Sequence, residues 1–573
     1  MVNTVAAAGQ SGATALSSNG KVRHPNALWI LFMTEMWERF GYYLMVGIFM
    51  LYLLDPRQHG GKGLDSATAS DIVGSYIALV YLTPFLGGLI ADRFLGYRRS
   101  IIIGGALMAL GYFGLAAPGN AALYISLLLI IIGNGFFKPN ISTLLGNIYS
   151  AEELKPKKDS AYNIFYMGIN IGAFFCNFVA AYLRNKYGWG YAFAAAGVGM
   201  VIGLTIFISM MKEVKSGDVI KPVQKEDMPL SRIFGYVFAP AIIAGAIGWN
   251  ISNPHLLGHT LFNSKSDDAF MFACIPIIYF YISILFKAKG QDRKGLGALL
   301  AFFAVSIVFW VIYNQNSTSL TIWAEQYTNR RIPDAAVQYV KPLGVLQKLT
   351  SADTFQVTKV DEHFVAVLDA NGNTQTVRGT VPYLQNLPKD QWPKPGEKQN
   401  LISTELFQSA NPIYIVAFTP LLLGLFGFLK RKNMEISTPL KITLGMVVAG
   451  LSSLTMVFAA RSANIYLDKT SMSWLLSTYA IFTVAELMIS PIGLSLVSKL
   501  APARLTAVMM GAWFLVNSIA GKVSGMMASY WDKFTNKGNY FMVLFALAIA
   551  SAVIMFLMVK WLSSVVRELT GSN

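Results

Sequence analysis

The stretch Thr34-Glu-Met-Trp-Glu-Arg-Phe-Gly-Tyr-Tyr43 places three ionisable side chains inside an apolar run that extends from residue 27 to residue 54. At the centre of a bilayer each such charge costs about 2.5–3.5 kcal/mol. Glu35 and Arg39 are four residues apart and Glu35 and Glu38 are three apart, so on a helix all three share one face. Tyr42 continues that face, which we expect to line a polar cavity. The alternative is an ion pair that only fastens helices together, but the second carboxylate favours a proton site.

The composition of the chain is that of a membrane protein. Of its 573 residues 54% are hydrophobic and 13% are charged, whereas soluble domains carry about 25% charged residues. Apolar runs of about 20 residues, long enough to cross a bilayer, recur along the chain. They predict fourteen spans, at residues 27–54, 70–91, 98–118, 121–147, 160–183, 190–211, 231–252, 269–287, 297–323, 405–429, 440–460, 473–497, 506–530 and 538–562.

These spans predict an all-α polytopic membrane protein with six, then two, then six helices. Two six-helix halves related by an axis along the membrane normal form the major facilitator arrangement, in which the middle pair is an insertion. The expected organisation is a flexible cytoplasmic N-terminus (1–24), an N-terminal bundle (25–212), the two inserted helices with their linkers (213–295), a C-terminal bundle (296–562) interrupted by a polar insert (325–403), and a cytoplasmic tail (563–573).

Basic residues set the predicted orientation. The formal charge is +16, and lysines and arginines collect in the short cytoplasmic loops of membrane proteins. Such loops include 93–99, 155–158 and 430–432, whereas the opposite loops between spans three and four and within the inserted pair are nearly free of basic residues. Both termini are therefore predicted to be cytoplasmic, in the cell (inner) membrane, and nucleic acid is not an expected partner.

The insert at residues 325–403 is polar and carries its own turn signals. The stretch from His363 to Val377 predicts two short strands joined around Asn371-Gly372. With the N-terminus inside, this β-containing insert lies in the periplasm. It could be a docking surface or only an elaborated loop.

Three further charges lie in apolar runs. Lys138 and Glu486 each lie close to a proline, and a helix broken at proline leaves backbone groups free to face a cavity. A cavity with Arg39 and Lys138 on one wall and Glu486 on the other suits a zwitterion with separated ends, such as a peptide. Lys522 is expected to snorkel or to pair locally, without an assigned role.

Aromatic, amide and cysteine residues complete the set of notable side chains in the spans. For any one amide or aromatic residue, helix packing is the default explanation. Cys176 and Cys274 both lie in apolar runs and are interpreted as small hydrophobic residues, with neither a disulfide nor a metal pair expected. The polar and aromatic candidates for a cavity are Asn170, Trp310, Tyr313, Asn314, Gln315, Asn411 and Trp513.

Three motifs resemble those of the proton-dependent oligopeptide transporter family, of the bacterial type. The first-helix signature is Glu35-x-x-Glu38-Arg39-Phe-x-Tyr42-Tyr43. The fifth-helix signature is Phe165-Tyr166-x-x-Ile169-Asn170-x-Gly172. The broader major facilitator loop motif is Gly87-Gly88-Leu-Ile-Ala-Asp92-Arg93-Phe-Leu-Gly96. The resemblance implies proton-driven import of di- and tripeptides by alternating access, with no cofactor beyond the proton gradient and no enzymatic activity. A monomer is expected to suffice.

The resemblance also implies roles for individual residues. Arg39 and Lys138 would handle the peptide carboxylate and Glu486 the amino terminus, while Glu35 and Glu38, with these two bases, would belong to the proton-coupling cluster. Residues that would line the cavity are Tyr42, Tyr43, Tyr81, Asn170, Trp310, Asn314, Asn411 and Trp513.

Three positions depart from the family pattern. Many bacterial members have an arginine where this chain has Val46 and an acid where it has Asn314, so the outer gate would lack its ion pair. The histidine of mammalian-type members aligns with Gly74.

Other functions stay open at this point. The same fold could carry nitrate or a single amino acid, or export drugs by proton antiport. A membrane-tethered peptidase is disfavoured because the insert has one histidine, no cysteine and no recognisable metal spacing. A receptor or scaffold is disfavoured because structure alone does not require so many intramembrane charges.

Overall fold

The computed structural model describes residues 23–219, 229–351, 354–362, 365–370, 374–434, 436–502 and 505–570. Within these ranges the fold consists of fourteen long helices and a small polar insert. The helices are α1 Asn26–Leu54, α2 Ser66–Ile90, α3 Tyr97–Leu115, α4 Asn120–Ile148, α5 Lys158–Tyr187, α6 Trp189–Ser209, α7 Ser231–Asn250, α8 Lys265–Lys287, α9 Gly290–Asn314, α10 Ala410–Arg431, α11 Thr438–Ser462, α12 Met472–Leu500, α13 Thr506–Ser529 and α14 Lys537–Thr570.

The predicted all-α membrane fold is confirmed, since each predicted span overlaps one of these helices. Eleven helical segments of the described chain are long and apolar enough to cross a membrane. The other three long helices are α1, α3 and α13. Charged residues lower the mean hydropathy of α1 and α3.

Two compact units divide the chain. The first comprises residues 1–42, 83–173 and 194–222, and within it α3 packs along α4. The second comprises residues 43–82, 174–193 and 223–573. Within the second unit α11 packs against α12 and α14, and α7 packs against α8.

The insert between α9 and α10 carries short strands, as predicted. After α9 a short extension, Ser319–Gln326, leads into β1 Thr328–Asn329. The antiparallel pairs are β2 Leu346–Leu349 with β5 Gln399–Ile402, and β3 Phe355–Thr358 with β4 Thr376–Gly379, whereas β1 pairs in parallel with β6 Thr470–Ser471. The insert has its own apolar core, formed by Leu349, Tyr383, Leu384, Leu387 and Leu401.

The predicted hairpin lies in the second half of the insert. Leu368 and Thr374 form an antiparallel bridge on the two sides of the predicted turn, which agrees with the predicted hairpin. His363, Asn371 and Gly372 themselves lie outside the described residues.

Candidate functional site

The three charges of α1 form one buried cluster, as their spacing predicts. Arg39 Nη2 donates to Glu38 Oε1 at 2.7 Å, and Arg39 Nε contacts Glu38 Oε2. Arg39 Nε also lies 3.1 Å from Glu35 Oε1, across one helical turn. The guanidinium lies 5.1 Å from the centre of the Tyr42 ring. With Glu38 0% exposed, two carboxylates share one arginine out of contact with solvent.

Side chains from α3 and α4 complete this cluster within the first unit. Lys138 on α4 is close enough to Glu35, Glu38 and Arg39 to interact with all three electrostatically. The fully buried Tyr112 on α3 interacts in the same way with Glu38 and Arg39. No sequence motif points to Tyr112. The cluster therefore holds two acids, two bases and the phenols of Tyr42 and Tyr112.

The fifth-helix motif brings α5 close to α1. A Cβ at Gly172 would lie 2.4 Å from the Met36 carbonyl oxygen, so only glycine permits this approach. Asn170, two residues earlier on α5, is buried, and its amide donates to the Tyr166 carbonyl at 3.0 Å. The motif thus packs two helices, and its asparagine bonds within its own helix.

The second unit holds a separate acidic group on α12. Glu486 is buried, and its Oε2 accepts a hydrogen bond of 2.8 Å from Asn411 Nδ2 on α10. The same amide donates to Thr483 Oγ1 at 3.0 Å. The structure thus places the two predicted site residues Asn411 and Glu486 in direct contact.

Aromatic side chains of α9 and α13 form a third group. Trp513 stacks on Phe302 with ring centres 5.6 Å apart and an interplanar angle of 8°. Trp310 meets Trp513 edge-on at 6.3 Å and Tyr313 at 5.2 Å. Helix packing accounts for these contacts.

A small cavity of about 30 Å³ lies beside these groups in the second unit and is lined by Tyr313, Gln315 and Asn411 among others. It is large enough for a water molecule and too small for a peptide. Asn314 is buried at the end of α9, and Tyr43, Tyr81 and Val46 are half-buried.

Lys522 does not snorkel: of the two alternatives that the sequence left open, the structure shows pairing, with side chains of other helices. It is 1% exposed, and its Nζ lies 2.5 Å from Asp71 Oδ1 on α2 and 2.7 Å from Asp267 Oδ1 on α8. It also donates to Ser75 Oγ at 2.8 Å and to Ser266 Oγ at 2.7 Å. Four side chains from two other helices therefore surround this lysine.

The glycine at the position of the mammalian-type histidine has a packing reason. A Cβ at Gly74 on α2 would lie 2.7 Å from Gly525 Cα on α13. Because the two backbones touch, no larger side chain fits at this position.

The comparison with known families places most of the chain in one of them. The model of the POT family matches residues 98–350 and 398–544. A relative from Bacillus subtilis, described as an uncharacterized transporter, is 30% identical over 524 residues, covering 91% of this chain and 90% of that protein. The dipeptide and tripeptide permease A of Escherichia coli is 29% identical and covers 94% and 92% of the two chains. The di-/tripeptide transporter of Lactococcus lactis is 28% identical, with coverage of 94% and 95%.

Solved structures agree with this assignment. A peptide transporter POT in complex with sulfate superimposes with a TM-score of 0.72 at 28% identity, covering 95% of this chain and 96% of that one. A POT family transporter in complex with 5-aminolevulinic acid also has a TM-score of 0.72, at 25% identity and with coverage of 94% and 97%. The chain therefore belongs to the POT family, the proton-dependent oligopeptide transporters that its first-helix motif resembles.

Proposed function

We propose that this protein is a proton-coupled symporter that imports di- and tripeptides by alternating access. The observation that carries the proposal is the buried cluster of Glu35, Glu38 and Arg39, since a second carboxylate beside an ion pair is a site at which a proton can bind. The names of the relatives, di-/tripeptide transporter and dipeptide and tripeptide permease, support peptides as the substrate.

The ends of the peptide would be recognised by charge. Arg39 and Lys138 are the proposed partners of the peptide carboxylate, and Glu486 is the proposed partner of its ammonium group. Charge-assisted hydrogen bonds of this kind are about twice as strong as neutral ones. Asn411 holds the Glu486 carboxylate, so it would orient the acid toward the ligand. The other proposed lining residues are Tyr42, Tyr43, Tyr81, Asn170, Trp310, Asn314 and Trp513.

The first-helix cluster would act as the coupling switch. Glu35 and Glu38 both contact Arg39, so they would titrate as a coupled pair. Protonation of one acid would release a base to bind the peptide carboxylate, and peptide release inside would let the base reclaim the acid and expel the proton. One charge moving down 100 mV supplies about 2.3 kcal/mol, or roughly a fiftyfold peptide gradient.

The remaining proposals concern the orientation of the protein in the membrane, its location and its organisation into bundles. Both termini would face the cytoplasm and the insert the periplasm, since basic residues cluster in the short loops 93–99, 155–158 and 430–432. The protein would lie in the cell (inner) membrane and work as a monomer, as two six-helix bundles (25–212 and 296–562) with an inserted pair between them.

Counterflow in proteoliposomes tests the proposed substrate class. Vesicles loaded with an unlabelled dipeptide should take up labelled dipeptide, and external di- or tripeptides should compete whereas nitrate and free amino acids should not. If only nitrate or only a free amino acid competed, the proposed substrate would be wrong and that competitor would be the substrate instead. Efflux of a drug driven by an inward proton gradient would identify an antiporter instead.

A further inference from the structure

Two buried cations fasten the insert to the C-terminal helices, and both lie over one tyrosine ring. The Arg330 guanidinium is 5.0 Å from the centre of the Tyr383 ring, and Lys469 Nζ is 4.4 Å from it. Arg330 is 0% exposed and pairs with Glu325 (Nη2 to Oε1, 3.0 Å) in the extension of α9. Lys469, from the loop between α11 and α12, donates to Asn386 Oδ1.

Further contacts make this attachment a firm one. The Asn386 amide also donates to the Ile465 carbonyl at 2.8 Å, and Arg330 Nη1 donates to Gln347 Oε1 and to the Ile402 carbonyl, both at 2.9 Å. Burial, and then the charge of Arg330, hold the pKa of Lys469 well below its ordinary value. The base of the insert is thus joined to α9 and to the α11–α12 loop, and it must move with them.

The end of the insert also binds α5, which belongs to the predicted N-terminal bundle. Asn185 Nδ2 donates to Ser403 Oγ at 2.8 Å. One residue earlier, Arg184 Nη2 lies 3.3 Å from Glu405 Oε2, and Glu405 is fully buried. Arg184 and Glu405 therefore form a buried ion pair between the end of α5 and the segment that leads from the insert into α10.

Two apolar contacts extend the same junction. Gly344 of the insert packs on Tyr182 of α5 so closely that a Cβ there would lie 2.2 Å from the ring. In the loop between α1 and α2, the centre of the His59 ring lies 4.1 Å from the centre of the Phe355 ring of β3. The insert thus touches two elements of the N-terminal bundle while its base is fixed to the C-terminal helices.

We propose that the insert is the lid of the outer gate, and that it closes by a latch of four contacts. The inference rests on the proposed alternating access, in which the two bundles part on the side of the insert in each cycle. The lid then leaves α5 and the α1–α2 loop while it stays on α9 and the α11–α12 loop. The latch consists of Arg184–Glu405, Asn185–Ser403, Tyr182–Gly344 and His59–Phe355.

The latch provides a charged contact that can close the outer gate in place of the ion pair that other family members have. At Val46 and Asn314 the chain has no opposite charges, whereas the latch places a buried arginine on a buried glutamate. Because both side chains become hydrated when the gate opens, the pair can separate without leaving a charge in an apolar environment.

Cysteine cross-linking tests whether the latch must open. The chain has two cysteines, Cys176 and Cys274, both buried, and their replacement by alanine gives a background that first has to transport dipeptide. In this background Asn185→Cys with Ser403→Cys forms the latch pair. The matched control is Lys348→Cys with Asn400→Cys, which face each other across β2 and β5 inside the insert.

Oxidation should abolish dipeptide uptake by the latch pair, and reduction should restore it, whereas the control pair should transport equally well before and after cross-linking. Dipeptide uptake that continues when the latch pair is fully cross-linked would contradict the proposal that the insert is a lid. A reduced latch pair that folds but takes up no peptide while another substrate enters would count against the proposed function alone, since the same oxidation test then applies to that substrate.

Spin-label distances test the lid without any substrate. Tyr187 on α5, Tyr339 in the insert and Leu467 in the α11–α12 loop are all at least half exposed and can carry labels. The Tyr187–Tyr339 pair should show a second, longer distance, whereas the Tyr339–Leu467 pair should show one distance. A single fixed distance for Tyr187–Tyr339, in lipid with and without dipeptide, would contradict the proposal.

Discussion

Two buried charge clusters of similar composition are built in different ways. In the first unit, Arg39 binds Glu35 and Glu38 of its own helix, and Lys138 interacts with all three. In the second unit, Lys522 binds Asp71 and Asp267 from two other helices. Each cluster has two carboxylates, but the first has two bases and the second has one.

The difference indicates which cluster can change its partners. Lysine has three N–H donors, and Lys522 has four oxygen partners within 2.8 Å, two of them serine hydroxyls. These contacts hold α2, α8 and α13 to one point. In the first cluster, protonation of one acid would allow Arg39 or Lys138 to bind a ligand carboxylate. We therefore expect substitutions in the first cluster to change coupling and substitutions in the second to change stability.

The largest effect is expected from Glu38→Gln. The amide keeps the shape of the side chain but can no longer bind or release a proton. Accumulation of dipeptide against its gradient should be abolished, while counterflow persists because exchange moves no net proton. The measurement compares the two modes in the same proteoliposomes, and accumulation equal to that of the unsubstituted protein would rule out the coupling role.

Lys522→Met should act on the folded state. Removing one partner of a buried ion pair typically costs about 3–5 kcal/mol, and here two carboxylates lose their only ammonium partner among the described residues. The thermal unfolding midpoint in detergent should fall steeply. Adding Asp71→Asn and Asp267→Asn should recover much of the loss, and an unchanged midpoint in the single variant would contradict the fastening role.

Glu486→Gln should remove a preference and leave the fold intact. A hydrogen bond to a charged group contributes about 1.5–3 kcal/mol, so binding of a free dipeptide should weaken by roughly tenfold to a hundredfold. An N-acetylated dipeptide has no ammonium group and should bind both proteins with similar affinity. Thr483→Ala, at the neighbouring hydroxyl, is the control. If the ratio of affinities for free and N-acetylated dipeptide were the same in Glu486→Gln as in the unsubstituted protein, Glu486 would not be the partner of the peptide ammonium group.

The smallest effect is expected at Asp532, after α13. Burial raises the pKa of its carboxyl from 3.8 to about 6, and the nearby Lys537 only partly opposes this. Between these two values the folded protein binds more protons than the unfolded chain, so stability falls as the pH rises through this range. Asp532→Asn should remove this part of the pH dependence of the unfolding midpoint. The exposed Asp390→Asn is the control, and identical profiles for all three proteins would contradict the prediction.

The sequence predicts the first cluster because its geometry is local. Glu35, Glu38 and Arg39 lie within five residues, and helical spacing alone places them together. The Lys522 cluster is different: its lysine is 451 residues from Asp71. Nothing in the sequence around an acid at the end of a span, such as Asp71, indicates which distant residue will pair with it.

The same distinction applies to the insert. The hairpin around residues 371 and 372 is predicted from a local turn signal, and its flanks are bridged at Leu368 and Thr374. The parallel pairing of Thr328 with Thr470 joins distant segments, and so do the contacts of Tyr383 with Arg330 and Lys469. Gly74 is a further case, since only the packing of α2 on α13 explains why it is a glycine.

The most direct test of the central claim measures proton and peptide movement together. Proteoliposomes that contain the purified protein and an internal pH-sensitive dye, held at equal pH inside and outside with the membrane potential clamped by potassium and valinomycin, receive an external dipeptide. The account predicts acidification of the interior at the rate of labelled dipeptide entry, and loss of both signals on addition of excess unlabelled tripeptide. Dipeptide entry without acidification would contradict proton symport.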